Sequence, residues 1–398
     1  MGNQLTRLQV KNFRSLADVS IDMRPINVFF GPNGSGKSTL LEALQLVGDC
    51  VSRDVEEAAR TRNNGFNMLR QGVDERQGIV ITLETVFAEY ELRLGFLLGQ
   101  IQPHAGEDLY SKEKEVYLIN RKTGSNEADF YYPEGNPPVR APLTFPEKLA
   151  LMQYIQGGTL SPRETFDLRN LFDPVHFYHS HYIDLSQLKH RGSESGTEIS
   201  LRQDGGNLWS VLRNIHGKSA IDLRYATIIN FMQKSFPNFK DLVFEPAGPN
   251  AIYTSFVEKD RQDPIPVLGV SEGHLQMLIH LTALFSEGTD RNSLIVFDEP
   301  ETSLHPYAIS VFAEAVKQAT KEWNKQVFIA THSPVLIGQF EPEDILATEL
   351  DESGQTILTR VSEMEDIKDL LESYDTGSLY MAEAIAPQSK LDAPEEGE

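Results

Sequence analysis

The sequence contains very little cysteine and no long apolar run. Cys50 is the single cysteine among 398 residues, which excludes an internal disulfide framework and suits a reducing compartment. No stretch of 18 or more apolar residues occurs and no charged-then-apolar leader opens the chain, so we expect no membrane partner. Hydrophobic residues make up 40% of the chain, which is enough for a large core. We therefore expect a globular cytoplasmic protein.

Positive charge is also scarce. There are 36 lysines and arginines against 58 aspartates and glutamates, which gives a formal net charge of -22. Such a surface repels phosphate backbones unless basic residues gather locally, and the clusters are small, for example Lys189-His190-Arg191. Free nucleic acid is therefore not the default ligand, although direct DNA binding stays open. Residues 386–398 are acidic and turn-prone, which predicts a disordered tail.

A glycine-rich loop is the most informative feature that is present. Residues 31–38 match the G-x-x-x-x-G-K-[ST] pattern, between the β-prone run 26–30 and a stretch with helical spacing of apolar residues. In this order the loop N–H groups and the helix N-terminus can surround phosphate, Lys37 can reach the β- and γ-phosphates, and Ser38 can ligate Mg²⁺. A glycine-rich loop without a ligand is the alternative. The predicted nucleotide contacts are Gly31, Pro32, Asn33, Gly34, Ser35, Gly36, Lys37, Ser38 and Thr39.

Two carboxylates follow an apolar run far from this loop. Residues 294–297 are continuously apolar, as in a buried parallel strand, and Asp298 and Glu299 come next. Asp298 would hold Mg²⁺, and Glu299 would orient and deprotonate an attacking water. An Asp-Glu pair before a proline is otherwise common in a cap or a solvated turn. The upstream loop favours the catalytic interpretation.

Histidines occur at the end of one strand-like segment and within another. His332 follows the apolar run 326–331, where an imidazole can donate to phosphate or position water, although a lone histidine is more often structural. His176, His179 and His181 lie on a second strand-like segment. Alternation could put the last two on one face, but the neighbouring sequence supplies no acid cluster, so a metal site there is not favoured.

The motifs together resemble a known family. They are residues 12–16 (Asn-Phe-Arg-Ser-Leu), 31–38, 271–273 (Ser-Glu-Gly), 298–306 and 330–334. This set is similar to the RecF/SMC/ABC-type ATPases, and more narrowly to the compact prokaryotic AAA family ATPases without a coiled coil. The resemblance implies an α/β P-loop NTPase head of ABC/SMC type with an antiparallel β subdomain and a helical insertion.

The resemblance also implies roles for residues outside the loop. Two heads would sandwich two ATP molecules, with Ser271 and Gly273 of one head closing over the γ-phosphate held by the other. The apolar spacing after Ser271 independently predicts a helix N-terminus, and an ordinary cap is the alternative. Relatives often carry a basic residue where Gln276 stands and a small one where His274 stands. Arg14 could approach a phosphate, or instead pair with a carboxylate.

The chain is predicted to form one composite domain. Residues 1–51 and 265–385 would form the head, 52–264 an inserted antiparallel β and helical region, and 386–398 the tail. Within the insertion, segments rich in glycine, proline, serine or charge are predicted as loops. These segments are residues 106–115, 135–142 and 192–197, the last of them mobile.

The function predicted from these residues is conversion of ATP and water to ADP and phosphate with Mg²⁺. Nucleotide-dependent dimerisation of the heads, as a homodimer or higher homo-oligomer, would switch an effector protein encoded nearby, such as a nuclease or toxin in genome maintenance or phage defence. One alternative is a nucleotide-sensing scaffold with little turnover. Another is a DNA-repair ATPase that engages DNA directly.

Overall fold

The computed structural model describes residues 4–62, 66–74, 76–96, 103–131, 137–156, 162–172, 175–246, 251–288, 293–371 and 373–387. The strands are β1 Leu5–Phe13, β2 Leu16–Asp22, β3 Ile26–Phe30, β4 Ile79–Thr85, β5 Ala88–Phe96, β6 Pro103–Ser111, β7 Val116–Arg121, β8 Glu127–Phe130, β9 Val139–Pro142, β10 His176–His179, β11 Ser193–Glu194, β12 Phe239–Pro246, β13 Ala251–Glu258, β14 Ile265–Pro266, β15 Ser293–Asp298, β16 Lys325–Thr331, β17 Ile345–Leu350 and β18 Thr356–Arg360. The helices are α1 Lys37–Ser52, α2 Val55–Arg60, α3 Ala150–Gln156, α4 Arg163–Phe172, α5 Leu185–His190, α6 Leu208–His216, α7 Arg224–Ser235, α8 Glu272–Phe285, α9 Pro306–Glu322, α10 Pro334–Ile337, α11 Lys368–Leu371 and α12 Thr376–Met381. Across these ranges, no helix has the length and apolarity needed to cross a membrane.

A central sheet runs in the order β10-β15-β16-β3-β17-β18, and its strands are parallel except for β18. Residues 294–297 of β15 are continuously apolar, as expected of a strand with both faces covered. Ile295 and Phe297 face a core that includes the helices α6 to α9, whereas Leu294 and Val296 face one that includes α1 and the antiparallel sheet. The central sheet is therefore the middle layer of the fold.

The parallel register brings the predicted site residues to one edge. His179 aligns with Asp298, and Asp298 aligns with Ala330, so β10, β15 and β16 end at the same level. Thr331 in turn aligns with Phe30, the last residue before the glycine-rich loop. The loop, the acids and His332 therefore emerge side by side.

A second, antiparallel sheet runs in the order β2-β1-β4-β5-β6-β7-β8-β9. The predicted loop at 106–115 is wrong up to Ser111, because that part belongs to β6, and the loop predicted at 135–142 contains β9. Gly106 is needed for close approach, since a Cβ there would lie 2.8 Å from the backbone nitrogen of Thr123. Glu107 is fully buried and accepts hydrogen bonds from the N–H groups of α3. Gly106 and Glu107 therefore contribute to packing within this sheet and against α3, although both residue types are common in turns.

A small third sheet, β11-β13-β12 with β14 on β13, lies in the middle of the chain. The mobile loop predicted at 192–197 is wrong at its start, because Ser193 and Glu194 pair with Ile252 and Ala251. The buried Ser193 hydroxyl donates to Gly206 O at 2.8 Å and accepts from the Trp209 N–H, so it is anchored by hydrogen bonds.

The segment 52–264 also supplies a strand to the central sheet, β10, in addition to its antiparallel strands and helices. The predicted boundaries at 51, 264 and 385 remain predictions. The predicted acidic tail lies outside the described residues from Gln388 onward.

A buried polar cluster joins the starts of three parallel strands at the opposite edge of the central sheet. Glu287 accepts a hydrogen bond from Ser200 at 2.5 Å and another from Ser293, and His176 Nε2 lies 3.2 Å from the same carboxylate. The Lys325 ammonium, which has no exposed surface, lies 3.7 Å from Glu287 Oε2. We refer to these five residues as the base cluster.

Candidate active site

The Lys37 ammonium is held inside the glycine-rich loop. Its Nζ donates to the carbonyl oxygens of Gly31 and Pro32, each at 2.9 Å, and the side chain is buried. Burial lowers the pKa of Lys37 to about 8, although the nearby carboxylates act in the opposite direction. A polyphosphate beside this ammonium would favour its charged form, so the loop suits an anionic ligand.

Two strands from the carboxyl-terminal part of the chain form the wall of the loop. A Cβ on Gly36, which has φ +104°, would lie 2.1 Å from Thr356 Oγ1, and a Cβ on Gly31 would lie 2.1 Å from the carbonyl oxygen of Thr348. Ser35 Oγ also lies 2.7 Å from Thr348 Oγ1. Only glycine fits at positions 31 and 36, and β17 and β18 set the loop conformation.

Ser38 and Asp298 supply a pair of oxygen donors. The Ser38 hydroxyl donates to Asp298 Oδ1 at 3.4 Å, and the Asp298 carboxylate is 3% exposed. Burial raises the pKa of Asp298 even though His179 and Ser38 act in the other direction. A divalent cation would offset this cost of a buried carboxylate, and hard oxygen ligands are those that Mg²⁺ prefers. The donor set therefore fits Mg²⁺.

Glu299 has an unusual backbone. Its φ is +53°, in the left-handed region that residues other than glycine rarely adopt. Its N–H donates to Ala330 O at 2.9 Å, and its carbonyl accepts from Ser180 Oγ at 2.6 Å. Such a conformation costs about 1–3 kcal/mol and persists only when surrounding contacts hold it. The Glu299 side chain is 37% exposed.

Residues 299–305 connect β15 to α9 and are called the acidic loop. Glu301 in this loop contacts His332. Its Oε1 accepts from Thr331 Oγ1 at 2.7 Å and from the His332 N–H at 3.0 Å, whereas its buried Oε2 has no hydrogen-bond partner among the described residues. Burial lowers the pKa of His332, and the Lys37 charge lowers it further, so a neutral imidazole is favoured near the loop. The sequence alone gave Glu301 no assigned role. Its position two residues after Glu299 was the available signal.

Ser271 is the N-cap of α8, at the helix start that the sequence predicted. Its hydroxyl lies 2.6 Å from His274 Nδ1 and accepts from the His274 N–H, and the serine is exposed. Gly273 lies against the loop that follows Glu299, because a Cβ there would be 2.6 Å from the carbonyl oxygen of Ser303. The Ser271–Gly273 turn is thus attached to the acidic loop of its own head.

Arg14 forms an ion pair with Glu42 on α1, and its guanidinium lies over the Phe13 ring at 5.6 Å. A cleft of about 470 Å³ is lined by Arg14 and also by Ser38 and Asp298. Arg14 therefore lines the same cleft as Ser38 and Asp298, and its approach to a phosphate remains a prediction.

His179 and His181 lie beside the two acids. His179 Nε2 is 3.4 Å from Asp298 Oδ2, and His181 Nε2 is 3.4 Å from Glu299 Oε2. The sequence alone gave no acid partners for these histidines, because the acids belong to a distant segment that becomes adjacent only when β10 pairs with β15.

Two family models match separate parts of the chain. Residues 4–136 match a family model described as AAA ATPase domain, and residues 156–338 match one described as AAA domain, putative AbiEii toxin, Type IV TA system. An OLD nuclease of Thermus scotoductus is 24% identical over 90% of this chain, which spans 64% of that relative's length. The RecF replication and repair protein of Colwellia psychrerythraea is 37% identical over 24% of this chain and 29% of its own length.

A solved structure supports the predicted fold class. An SMC head bound to the C-winged helix domain of ScpA matches 89% of this chain and 97% of its own, with a TM-score of 0.53 and 12% identity. At that identity the likeness concerns the fold. It confirms an α/β P-loop head of ABC/SMC type, which agrees with the parallel and antiparallel sheets described above.

Proposed function

Because this chain carries AAA-type ATPase domains and resembles RecF in part of its length, we propose that it binds Mg²⁺·ATP and hydrolyses it to ADP and phosphate. The observation that carries the proposal is the convergence at one sheet edge of a phosphate loop, a serine–aspartate pair and a second carboxylate. Ser38 and Asp298 are 3.4 Å apart although they come from distant parts of the chain. A phosphate loop alone would serve many nucleotide-binding proteins, whereas the adjacent acids fit hydrolysis.

Each residue then has a chemical role. The loop N–H groups and Lys37 hold the phosphates, and Ser38 with Asp298 would hold Mg²⁺, which would neutralise developing charge on the phosphoryl oxygens. Glu299 orients the attacking water and takes its proton. A neutral His332 donates a hydrogen bond toward the γ-phosphate, and Glu301 fixes the backbone that carries this histidine. Arg14 is a further candidate for a phosphate contact.

We further propose that two heads enclose the nucleotides between them. Ser271 is exposed at the N-terminus of a 14-residue helix, where N–H groups favour an anion. Gly273 allows the Ser271–Gly273 turn to pack closely against the acidic loop. The Ser271–Gly273 turn of a second copy would complete the site around the γ-phosphate. Nucleotide would then control whether the copies associate, as a homodimer or a higher homo-oligomer.

Steady-state phosphate release from the purified protein tests hydrolysis. We expect Mg²⁺-dependent release from the wild type, loss of release in Glu299→Gln with nucleotide binding retained, and loss of binding in Lys37→Ala. Release at the background level from a folded, nucleotide-binding wild type would contradict the enzyme. It would favour instead the nucleotide-sensing scaffold with little turnover. Light scattering of the Glu299→Gln variant with and without ATP tests dimerisation.

The proposal of an effector partner is based on the similar proteins described above. The chain spans 64% of the OLD nuclease and 29% of the RecF protein, so their whole activities do not transfer with the head. We propose that ATP-driven association switches a partner protein, such as a nuclease or toxin, in phage defence or genome maintenance. Copurification with the Glu299→Gln variant from the native host should retain this partner.

Direct engagement of DNA in repair is the competing proposal, and the resemblance to RecF favours it. The net charge of -22 opposes it. Binding to duplex DNA that weakens steeply as salt increases would support it, whereas no binding at low salt with ATP would remove it.

A further inference from the structure

Three consecutive residues at the end of β10 contact both catalytic carboxylates and the backbone between them. We propose that His179, Ser180 and His181, the HSH segment, position Asp298 and Glu299 for the reaction. The inference rests on the proposed function, because it concerns the same site. Each residue of the segment contacts a different part of the Asp298-Glu299 pair.

His179 faces the Asp298 carboxylate with its Nε2 atom. The N–H of His181 donates to His179 Nδ1 at 3.1 Å, which leaves Nε2 as the ring nitrogen that can donate toward another group. That Nε2 lies 3.4 Å from Asp298 Oδ2, while Oδ1 accepts from Ser38. The ring also packs against Tyr182, with 4.6 Å between centroids. His179 therefore fixes the orientation of the carboxylate that would hold Mg²⁺, as outer partners of metal ligands do.

Ser180 holds the strained backbone of Glu299. Its hydroxyl donates to Glu299 O at 2.6 Å and accepts from Gln276 Nε2 at 3.2 Å, so both of its hydrogen-bonding functions are used. Glu299 has φ +53°, and a left-handed conformation at a non-glycine residue requires contacts that hold it. Without the Ser180 bond, Glu299 would lose one of the contacts that set the direction of its side chain.

His181 contacts the Glu299 side chain itself. Its Nε2 lies 3.4 Å from Glu299 Oε2, but the imidazole is 65% exposed, so this contact holds the carboxylate weakly. The contact with the buried Asp298 carboxylate is therefore the most shielded from solvent, and the contact with the Glu299 carboxylate is the weakest. A loose hold suits a base that must turn toward water.

Gln276 extends the HSH segment to α8. It lies five residues after Ser271 on the same helix, is 2% exposed and donates to Ser180. Movement of α8 when a second copy engages Ser271 would therefore reach the backbone of Glu299 through two hydrogen bonds. The buried Gln276 makes this connection.

The test separates metal positioning from turnover. Electron paramagnetic resonance measures the Mn²⁺ affinity of the ATP-bound protein in the Glu299→Gln background. The test variant is His179→Phe, which keeps a ring against Tyr182 but removes both ring nitrogens. We expect Mn²⁺ affinity to fall about ten- to hundredfold, with metal-free ATP affinity unchanged. His179→Gln, which retains an N–H donor, should recover part of the loss. His190→Phe, at an exposed helix end, is the matched control and should match the parent.

The second arm measures kcat and KM in the otherwise wild-type protein. Ser180→Ala should lower kcat about fivefold, the effect of one ordinary hydrogen bond, with KM and Mn²⁺ affinity unchanged. Unchanged Mn²⁺ affinity in folded His179→Phe, or unchanged kcat in Ser180→Ala, would overturn the proposal. Should His179→Phe not fold, the same Mn²⁺ measurement on His179→Gln and His179→Ala decides, with unchanged affinity again contradictory. Absence of turnover in the wild type would refute the proposed hydrolysis but leave the Mn²⁺ result decisive for His179.

Discussion

Replacing Glu287 by glutamine tests how the starts of the parallel strands are held. The base cluster places one buried carboxylate among Ser200, Ser293, His176 and Lys325, at the starts of β10, β15 and β16. The other ends of these strands carry His179, Asp298 and Thr331. Glutamine keeps the size of the side chain but removes the negative charge that faces the fully buried Lys325 ammonium.

The expected cost follows from burial. Removing one partner of a buried ion pair typically costs about 3–5 kcal/mol. Glu314→Gln is the matched control, since Glu314 pairs with Lys234 at 2.5 Å but both side chains are about half exposed. Exposed pairs contribute about 0–1 kcal/mol. We therefore expect a difference of at least about 2 kcal/mol between the two variants.

Urea unfolding at pH 7 without nucleotide measures the free energies of unfolding, and repetition at acidic pH tests the electrostatic origin. Burial alone would raise the pKa of Glu287, but His176, Ser200 and Ser293 hold it well below its usual range. A depressed carboxyl pKa stabilises the fold above the unfolded pKa, and this contribution is lost as pH falls toward the folded pKa. The gap between wild type and Glu287→Gln should therefore shrink below about pH 4.3. A variant as stable as wild type at pH 7, or a gap independent of pH, would refute the reasoning.

Two further predictions concern packing around the site. Gly273→Ala should lower the stability of the nucleotide-free protein by about 1–3 kcal/mol in urea unfolding, because its Cβ would lie 2.6 Å from Ser303 O, whereas Gly217→Ala, which has space for a Cβ, should not. A Gly273→Ala variant that loses activity but has the free energy of unfolding of the wild type would contradict this prediction. Thr348→Val should weaken ATP binding about fivefold in a fluorescent-nucleotide titration, because it removes the hydroxyl that bonds Ser35 and Phe30 O. Affinity equal to wild type would mean that this wall does not shape the loop.

Features encoded by consecutive residues were predictable from the sequence. The loop at 31–38, the strand before it and the helix after it depend on local pattern, and so does the Ser271 cap. The acids after β15 were recognised because a continuous apolar run identifies a buried parallel strand. The resemblance to RecF/SMC-type proteins then supplied the fold class.

Features that depend on pairing between distant segments were not predictable. His179 and Asp298 become neighbours only through the β10–β15 register, which periodicity within either strand does not encode. Gly106 and Glu107 have the composition of a turn, yet one permits close approach of Thr123 and the other is a buried acceptor. In each case, tertiary packing overrides the local preference.

The wall formed by Thr348 and Thr356 gives the phosphate loop a dependence on residues more than 300 positions away. Side chains at these two threonines must stay small enough for Gly31 and Gly36 to approach. The loop is therefore not a portable module, and transferring residues 31–38 into another head would carry the glycines without the surface that they fit. An exchange between relatives should move the β17–β18 hairpin together with the loop. Substitutions in the loop at 31–38 and in the β17–β18 hairpin should therefore be constrained together during evolution.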